Sequence, residues 1–186
     1  MLDETIERAD LSHSRPAEDE YENCIFDGCN FAESDLTDIS IVDCRFIDCN
    51  LSLSVLNGTA FRDTSFQNCK MLGLRFDMCN SFGLSFSFEN CQLNHASFRG
   101  AKIKGTVFRN SQLIEADLAE ANLIGAVFQD CDLAGAVFSF TNLEKADLRR
   151  AFNFSIDPES NKIKKARFAF PSVVGLLDKY DIKIEK

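Results

Sequence analysis

From Tyr21, every fifth residue is large and apolar: Phe26, Phe31, Leu36, Ile41, Phe46, Leu51, Leu56, Phe61, Phe66, Met71 and Phe76 follow it. From Phe88 the same step gives Leu93, Phe98, Ile103, Phe108, Leu113, Leu118, Leu123, Phe128, Leu133, Phe138, Leu143 and Leu148. A period of five matches neither the 3.6 of an α-helix nor the 2.0 of a flat strand. Two positions before these centres the chain is small, with Ala, Cys, Ser or Thr at 21 of the 25 sites; Asp19, Ile39, Leu74 and Phe86 are the exceptions. Two positions after them fall seven of the nine glycines, and Asn23, Asn68 and Asn110 as well. Gly and Asn tolerate the positive φ of a tight corner. Each five-residue unit therefore reads as a short extended side followed by a corner. Four sides close a coil of twenty residues, and stacked coils pair their backbones. The expected fold is an all-β solenoid, a right-handed quadrilateral parallel β-helix.

The pattern divides the 186 residues into three stretches. Residues 1–20 are polar and read as a cap on the first coil, although Ala9-Asp10-Leu11 is in register with the repeat. Residues 21–170 carry the repeat, with one irregularity at 77–87 where the register shifts by two. There Phe82, Leu84 and Phe86 are available to fill the interior, and the segment is either a structural bulge or a recognition loop. Residues 171–186 change period. Ser172 suits a helix N-cap, and Val173, Leu176, Leu177 and Tyr180 share one helical face, which predicts a short C-terminal α-helix. Ile182 and Ile184 then alternate as a short strand. Such a helix either only caps the open coil or also meets its twin across a two-fold axis.

Seven of the eight cysteines (Cys24, Cys29, Cys44, Cys49, Cys69, Cys91 and Cys131) occupy the small site, and Cys79 sits two before Ser81, where the next centre would have fallen. Cys29, Cys49 and Cys69 are twenty apart and stack as a ladder at about 4.8 Å, wider than the roughly 3.8 Å between Cβ atoms in a disulfide. A one-dimensional stack offers no tetrahedral metal geometry. Buried reduced thiols are expected, and with them a cytoplasmic location; no metal or cofactor site is expected.

Ala116-Asp117-Leu118, Ala121-Asn122-Leu123-Ile124-Gly125 and Ala146-Asp147-Leu148-Arg149-Arg150 resemble the A(D/N)LXX units of pentapeptide repeat proteins. The resemblance covers roughly residues 19–170 and extends to the members that protect DNA gyrase and topoisomerase IV from quinolones or microcin-type toxins. It implies a homodimer formed end to end through the C-terminal helix (Val173, Val174, Leu176, Leu177, Tyr180 and Ile182) and a rod that mimics duplex DNA. The two sizeable projecting loops of the plasmid quinolone-resistance members have no counterpart in this sequence.

Charge supports a protein partner. The formal net charge is −9, with −5 in residues 1–20, −6 in 21–96, zero in 97–150 and +2 in 151–186. That balance argues against direct nucleic-acid binding and against anchoring on anionic membranes. No run of 18 apolar residues is present, so no membrane span is expected. His13 and His95 lie in no acid/base or nucleophile pattern, and no phosphate-binding glycine motif occurs, so no catalytic residue is assigned and no enzyme is expected. Glu22, Asp27, Glu33, Asp35, Asp38, Asp43, Asp48 and Asp63 are expected to face outward as an acidic partner surface, with Asp43 and Asp63 one coil apart. A rod of six or seven coils, roughly 30 Å long, would present them to a groove built for a phosphate backbone. Solubility alone is a sufficient alternative reason for such a surface. Outward apolar residues, Val107 and Val127 stacked on one face and Ile124 on the adjoining one, support a different reading, a general protein-interaction scaffold.

Overall fold

The structure is a computed structural model that describes residues 1–185. Ten short strands run as β1 Thr5–Glu7, β2 Glu20–Glu22, β3 Ile25–Asp27, β4 Ser40–Val42, β5 Arg45–Ile47, β6 Ala60–Arg62, β7 Thr64–Gln67, β8 Phe86–Glu89, β9 Val107–Arg109 and β10 Val127–Gln129. All pairs are parallel, in one sheet ordered β1-β3-β5-β7-β8-β9-β10 and another ordered β2-β4-β6. The pairing register advances by twenty, as in Phe26↔Phe46 and Ile41↔Phe61. Two further sides of each coil are held by single bridges, such as Asn30↔Asn50↔Lys70 and Ser97↔Asp117↔Val137. We number the sides from their centres: side I carries Tyr21, Ile41 and Phe61, side II Phe26 and Phe46, side III Phe31 and Leu51, side IV Leu36 and Leu56.

All 25 centres are buried, and so are all the small sites except Asp19. Side II carries the clearest consequence. Phe26, Phe46, Phe66, Phe88, Phe108 and Phe128 form one stacked column, with successive ring centroids 4.6, 5.1, 5.3, 5.2 and 5.0 Å apart. The 4.8 Å coil spacing of a parallel sheet is what places these rings at stacking distance.

The small site has a chemical preference as well as a size. Its thiol or hydroxyl donates to the carbonyl of a centre in the preceding coil: Cys49 Sγ to Phe26 O at 3.3 Å, Cys69 to Phe46 O at 3.4 Å, Ser54 Oγ to Phe31 O at 2.7 Å and Thr59 Oγ1 to Leu36 O at 2.6 Å. The eight cysteines are free, seven buried and Cys79 half-buried. Burial pushes the Cys44 thiol up to about 11 and those of Cys79 and Cys131 up to about 12.

The two-residue offset is absorbed in one place. Phe66 pairs with Phe88 and Arg75 with Ser97, a step of 22, and the aromatic column passes through without interruption. A 3-10 turn at Phe76–Met78 opens the irregular coil. Leu84 and Phe86 fill the interior as expected, whereas Phe82 is 78% exposed. The turn that ends at Gly83, whose φ is +70°, breaks the alternation that would have turned Phe82 inward.

Both ends differ from a simple cap-and-helix scheme. Residues 1–20 are themselves a coil: β1 pairs with β3, Leu2 bridges Glu22 and Asp10 bridges Asn30. Ile6, Ala9 and Leu11 lie against the core from this coil. The expected C-terminal α-helix is absent; two 3-10 turns, Ser172–Leu176 and Asp178–Tyr180, stand in its place. Gly175 is the reason. Its carbonyl accepts from Ile156 N–H at 3.0 Å, and an added Cβ would lie 2.1 Å from Phe154 O. Docking against the last coil thus diverts the carbonyl a continuing α-helix would use, and Leu177 N–H closes on Val174 O, three residues back. Residues 181–185 lie in no strand, contrary to the expected alternation at Ile182 and Ile184.

Candidate interaction surface

The outward surface is built from three positions per unit: the residues flanking each centre and the corner. Corners are left-handed. Glu33, Asp38, Asp43, Asp48 and Asp63 have φ between 48° and 60°, the same conformation as Gly28, Gly58 and Gly73. Asp and Asn enter this region more readily than other residues with a side chain. Five of the eight predicted acidic residues therefore hold corners, where the backbone itself favours Asp. Glu22, Asp27 and Asp35 flank centres.

These eight side chains are exposed, Asp27 half-buried, but they do not form one face. Asp43 and Asp63 follow side I, Asp48 side II, Glu33 side III and Asp38 side IV; Glu22, Asp27 and Asp35 lie on sides I, II and IV. They make a collar around the early coils. Asp43 and Asp63 do follow one another along a single edge, as β4 pairs with β6.

What distinguishes the collar is the lack of counter-charge. Among the described residues, only Glu33 of the eight lies within 4 Å of a basic side chain's nitrogen, His13 Nδ1 at 3.5 Å. Later coils pair their acids: Asp117 and Glu120 with Arg99, Asp130 with Arg150, and Asp147 with Arg149 and Arg167. The Arg149 guanidinium beside Asp147 holds its carboxyl below the ordinary carboxylate range. Asp35 is also lowered, but by Thr37, whose backbone N–H donates to its carboxylate at 3.0 Å.

The second half is neutral in sum and polarised in space. Side I and its corner carry Asp3, Glu20, Glu22, Asp43 and Asp63 in the early coils, with Arg62. Beyond the irregular coil they carry Lys102, Lys104, Lys145, Lys162, Lys164 and Lys165, with Glu144. The ladders Leu2↔Glu22 and Lys102↔Asn122↔Asn142↔Lys162 fix these positions. Sequence reasoning missed this polarity because it counted charge by segment rather than by side.

The predicted outward apolar residues lie on two adjoining sides. Val107 and Val127 pair on side II, bounded by Ser87 and Asp147, while Ile124 lies on side I; all three are half-buried. Of the predicted C-terminal contact set, Val173, Val174 and Leu176 are half-buried and Leu177, Tyr180 and Ile182 exposed. Of the exposed aromatics, Phe82 was expected in the interior, and Phe140 (at a corner, φ 56°) was not singled out from sequence. His95 pairs with Glu115 at 3.2 Å in the relation that His13 has to Glu33, on exposed corners of side III. No helix among the described residues is long and apolar enough to cross a membrane.

Family models of the pentapeptide repeat region match residues 20–86 and 39–117, and a model of eight pentapeptide repeats matches 111–150. No curated protein matches the chain. Among solved structures, a trypsin-treated form of QnrB1, a plasmid-mediated fluoroquinolone resistance protein, is similar at TM-score 0.69 and 15% identity, covering 97% of this chain and 100% of that one. Full-length QnrB1 is similar at 0.50 and 18%, covering 96% and 100%. HetL, a pentapeptide repeat protein involved in heterocyst differentiation regulation from the cyanobacterium Nostoc, gives 0.33 and 17%, covering 91% and 82%. At these identities the likeness is one of fold.

Proposed function

We propose, for a chain that belongs to the pentapeptide repeat family, a non-enzymatic cytoplasmic role: its acidic early coils occupy the DNA-binding groove of a type II topoisomerase, DNA gyrase or topoisomerase IV, and modulate or protect that enzyme against quinolone- or toxin-type inhibitors. One observation carries the reading. Seven of the eight collar carboxylates have no cationic partner among the described residues, so their potential is available to a basic groove. The structural likeness to a fluoroquinolone resistance protein supports the same reading. A contact between two copies through the exposed Leu177, Tyr180 and Ile182 is its second part. The scaffold alternative would rest on Val107 and Val127 of side II and Ile124 of the adjoining side I, all half-buried.

The test is binding to purified gyrase and inhibition of supercoiling across a salt series. Binding at low salt that weakens steeply as salt rises is expected, since counter-ions screen surface charges beyond about 10 Å at 0.1 M. The variant with Asp38, Asp43, Asp48 and Asp63 all changed to Asn retains corner-compatible residues and should bind at least about tenfold more weakly. Absence of binding at low salt would refute the reading.

A further inference from the structure

Side I is charged oppositely at its two ends, and we infer that it is a self-complementary surface on which a second copy of this chain docks antiparallel. Two rods laid face to face in opposite directions are related by a two-fold axis lying in the contact plane and across the rods. That operation keeps each residue's position within its five-residue unit and reverses the order of coils. An axis midway between the Phe82 coil and the Lys102–Lys104 coil brings the Tyr21 coil opposite the Ile163 coil, and the Ile41 coil opposite the Leu143 coil. Glu20 then faces the second copy's Lys162, Glu22 its Lys164 and Asp43 its Lys145. The symmetry makes each contact twice. All six side chains are exposed, and none is in a salt bridge among the described residues.

The middle of the face supplies an anchor. Phe82 is 78% exposed on side I and lies 5.9 Å from the Arg62 guanidinium carbon. Arg62 Nε, beneath Gly83, is the one buried side-chain polar atom among the described residues without a hydrogen-bond partner. In the antiparallel arrangement the Phe82 ring meets Lys102 and Lys104 of the second copy, a cation–π geometry at the centre of the contact. A groove lined by Asp63, Ser85 and Lys104 shows that the acidic half, the irregular coil and the basic half are contiguous here. The contact spans seven coil steps, roughly 34 Å, by about 15 Å across, or about 1,000 Å² in total over both copies. That area lies at the lower limit for specific association, so charge must supply much of it.

The test is sedimentation of the full chain, in the wild type and in a Leu177→Asp background that removes the C-terminal contact. The Leu177→Asp chain should sediment near twice the 20.9 kDa chain mass at low salt, and the wild type, which keeps the C-terminal contact as well, at a larger multiple of it. As the screening length falls from about 30 Å at 0.01 M to about 3 Å at 1 M, the Leu177→Asp chain should dissociate to monomer and the wild type to its C-terminal pair. Lys162→Glu with Lys164→Glu should weaken association about 10- to 100-fold, and so should Glu20→Lys with Glu22→Lys. Combining the four substitutions should restore it to within about threefold, which a misfolded variant would not do. A wild type already monomeric at low salt overturns the proposal. So does a combined variant as weak as either pair, and so does association lost through Leu177→Asp alone. No topoisomerase enters this experiment, so its failure leaves the proposed function standing, and the reverse also holds.

Discussion

Asp43 offers a clean separation of charge from backbone conformation at a corner. Its φ is 53°, its side chain is exposed, and its backbone N–H donates to Arg62 O at 2.9 Å. No side-chain hydrogen bond or salt bridge holds the carboxylate among the described residues. Asp43→Asn removes the charge and keeps a residue suited to positive φ. Asp43→Val also removes the charge but sets a β-branched Cβ against the following carbonyl, at a cost of about 1–2 kcal/mol. For a domain of this size each kcal/mol lowers Tm by about 2–4 °C, so the valine variant should melt about 2–8 °C below wild type. The asparagine variant should match wild type or exceed it slightly at low salt, because it relieves repulsion within the acidic coils. Thermal unfolding by circular dichroism reads both. Equal Tm values for the two variants would show that the corner imposes no conformational demand. A large loss in Asp43→Asn would show that the carboxylate has a structural partner.

Two further outcomes concern stability and reactivity, and one concerns the C-terminus. Alkylation at pH 8 should spare Cys44 and Cys131, whose thiols burial pushes up to about 11 and about 12, in folded protein; mass spectrometry after denaturation should find all eight labelled. Gly175→Ala should cost about 1–3 kcal/mol, since the new Cβ meets Phe154 O and forces the terminal turns off the last coil; limited proteolysis should then cut near residue 170. Lys179 pairs with Asp157 and holds the Asp157 and Glu159 carboxyls below the ordinary range. A lowered carboxyl pKa contributes stability above the unfolded-state value and loses it as pH falls through the folded-state value. The Asp178–Tyr180 turn should therefore detach only in acid, below about pH 4, and Tyr180 emission should report it, as the chain has two tyrosines and no tryptophan.

The interior was legible because it is periodic. A centre every five residues and a small site two before it determine which side chains are buried, and the thiol ladder follows from that lattice with no further information. The irregular coil was not legible in the same way. Phe82, Leu84 and Phe86 alternate like a strand, and only the left-handed Gly83 turn places Phe82 outside. The C-terminus misled for a related reason. Val173, Leu176, Leu177 and Tyr180 have helical spacing, but the contact of Gly175 with Phe154 and Ile156 decides the hydrogen bonding, and it joins residues about one coil apart in sequence. The eight acidic residues point outward as the register implies, and a twenty-residue coil distributes them over four edges. Side I polarity needed the same lattice with its two-residue offset applied.

The two proposals share carboxylates, and this makes their relation testable. Glu22 and Asp43 belong both to the collar and to the side I contact, so a rod paired through side I withholds them from an enzyme groove. By mass action, dissociating the pair raises the concentration of rods able to bind. Lys162→Glu with Lys164→Glu should therefore improve apparent affinity for gyrase at protein concentrations where the wild type is paired. Its added negative charge alone would improve affinity at every concentration. The advantage attributable to unmasking must instead vanish on dilution, where the wild type is monomeric as well. Glu20→Lys with Glu22→Lys should weaken enzyme binding at all concentrations, because it removes acids from the surface the groove would recognise. If the lysine reversals leave affinity unchanged throughout, the enzyme must engage Asp27, Glu33, Asp35, Asp38 and Asp48 on the other three sides, and side I is free to hold a second copy while the rod is bound.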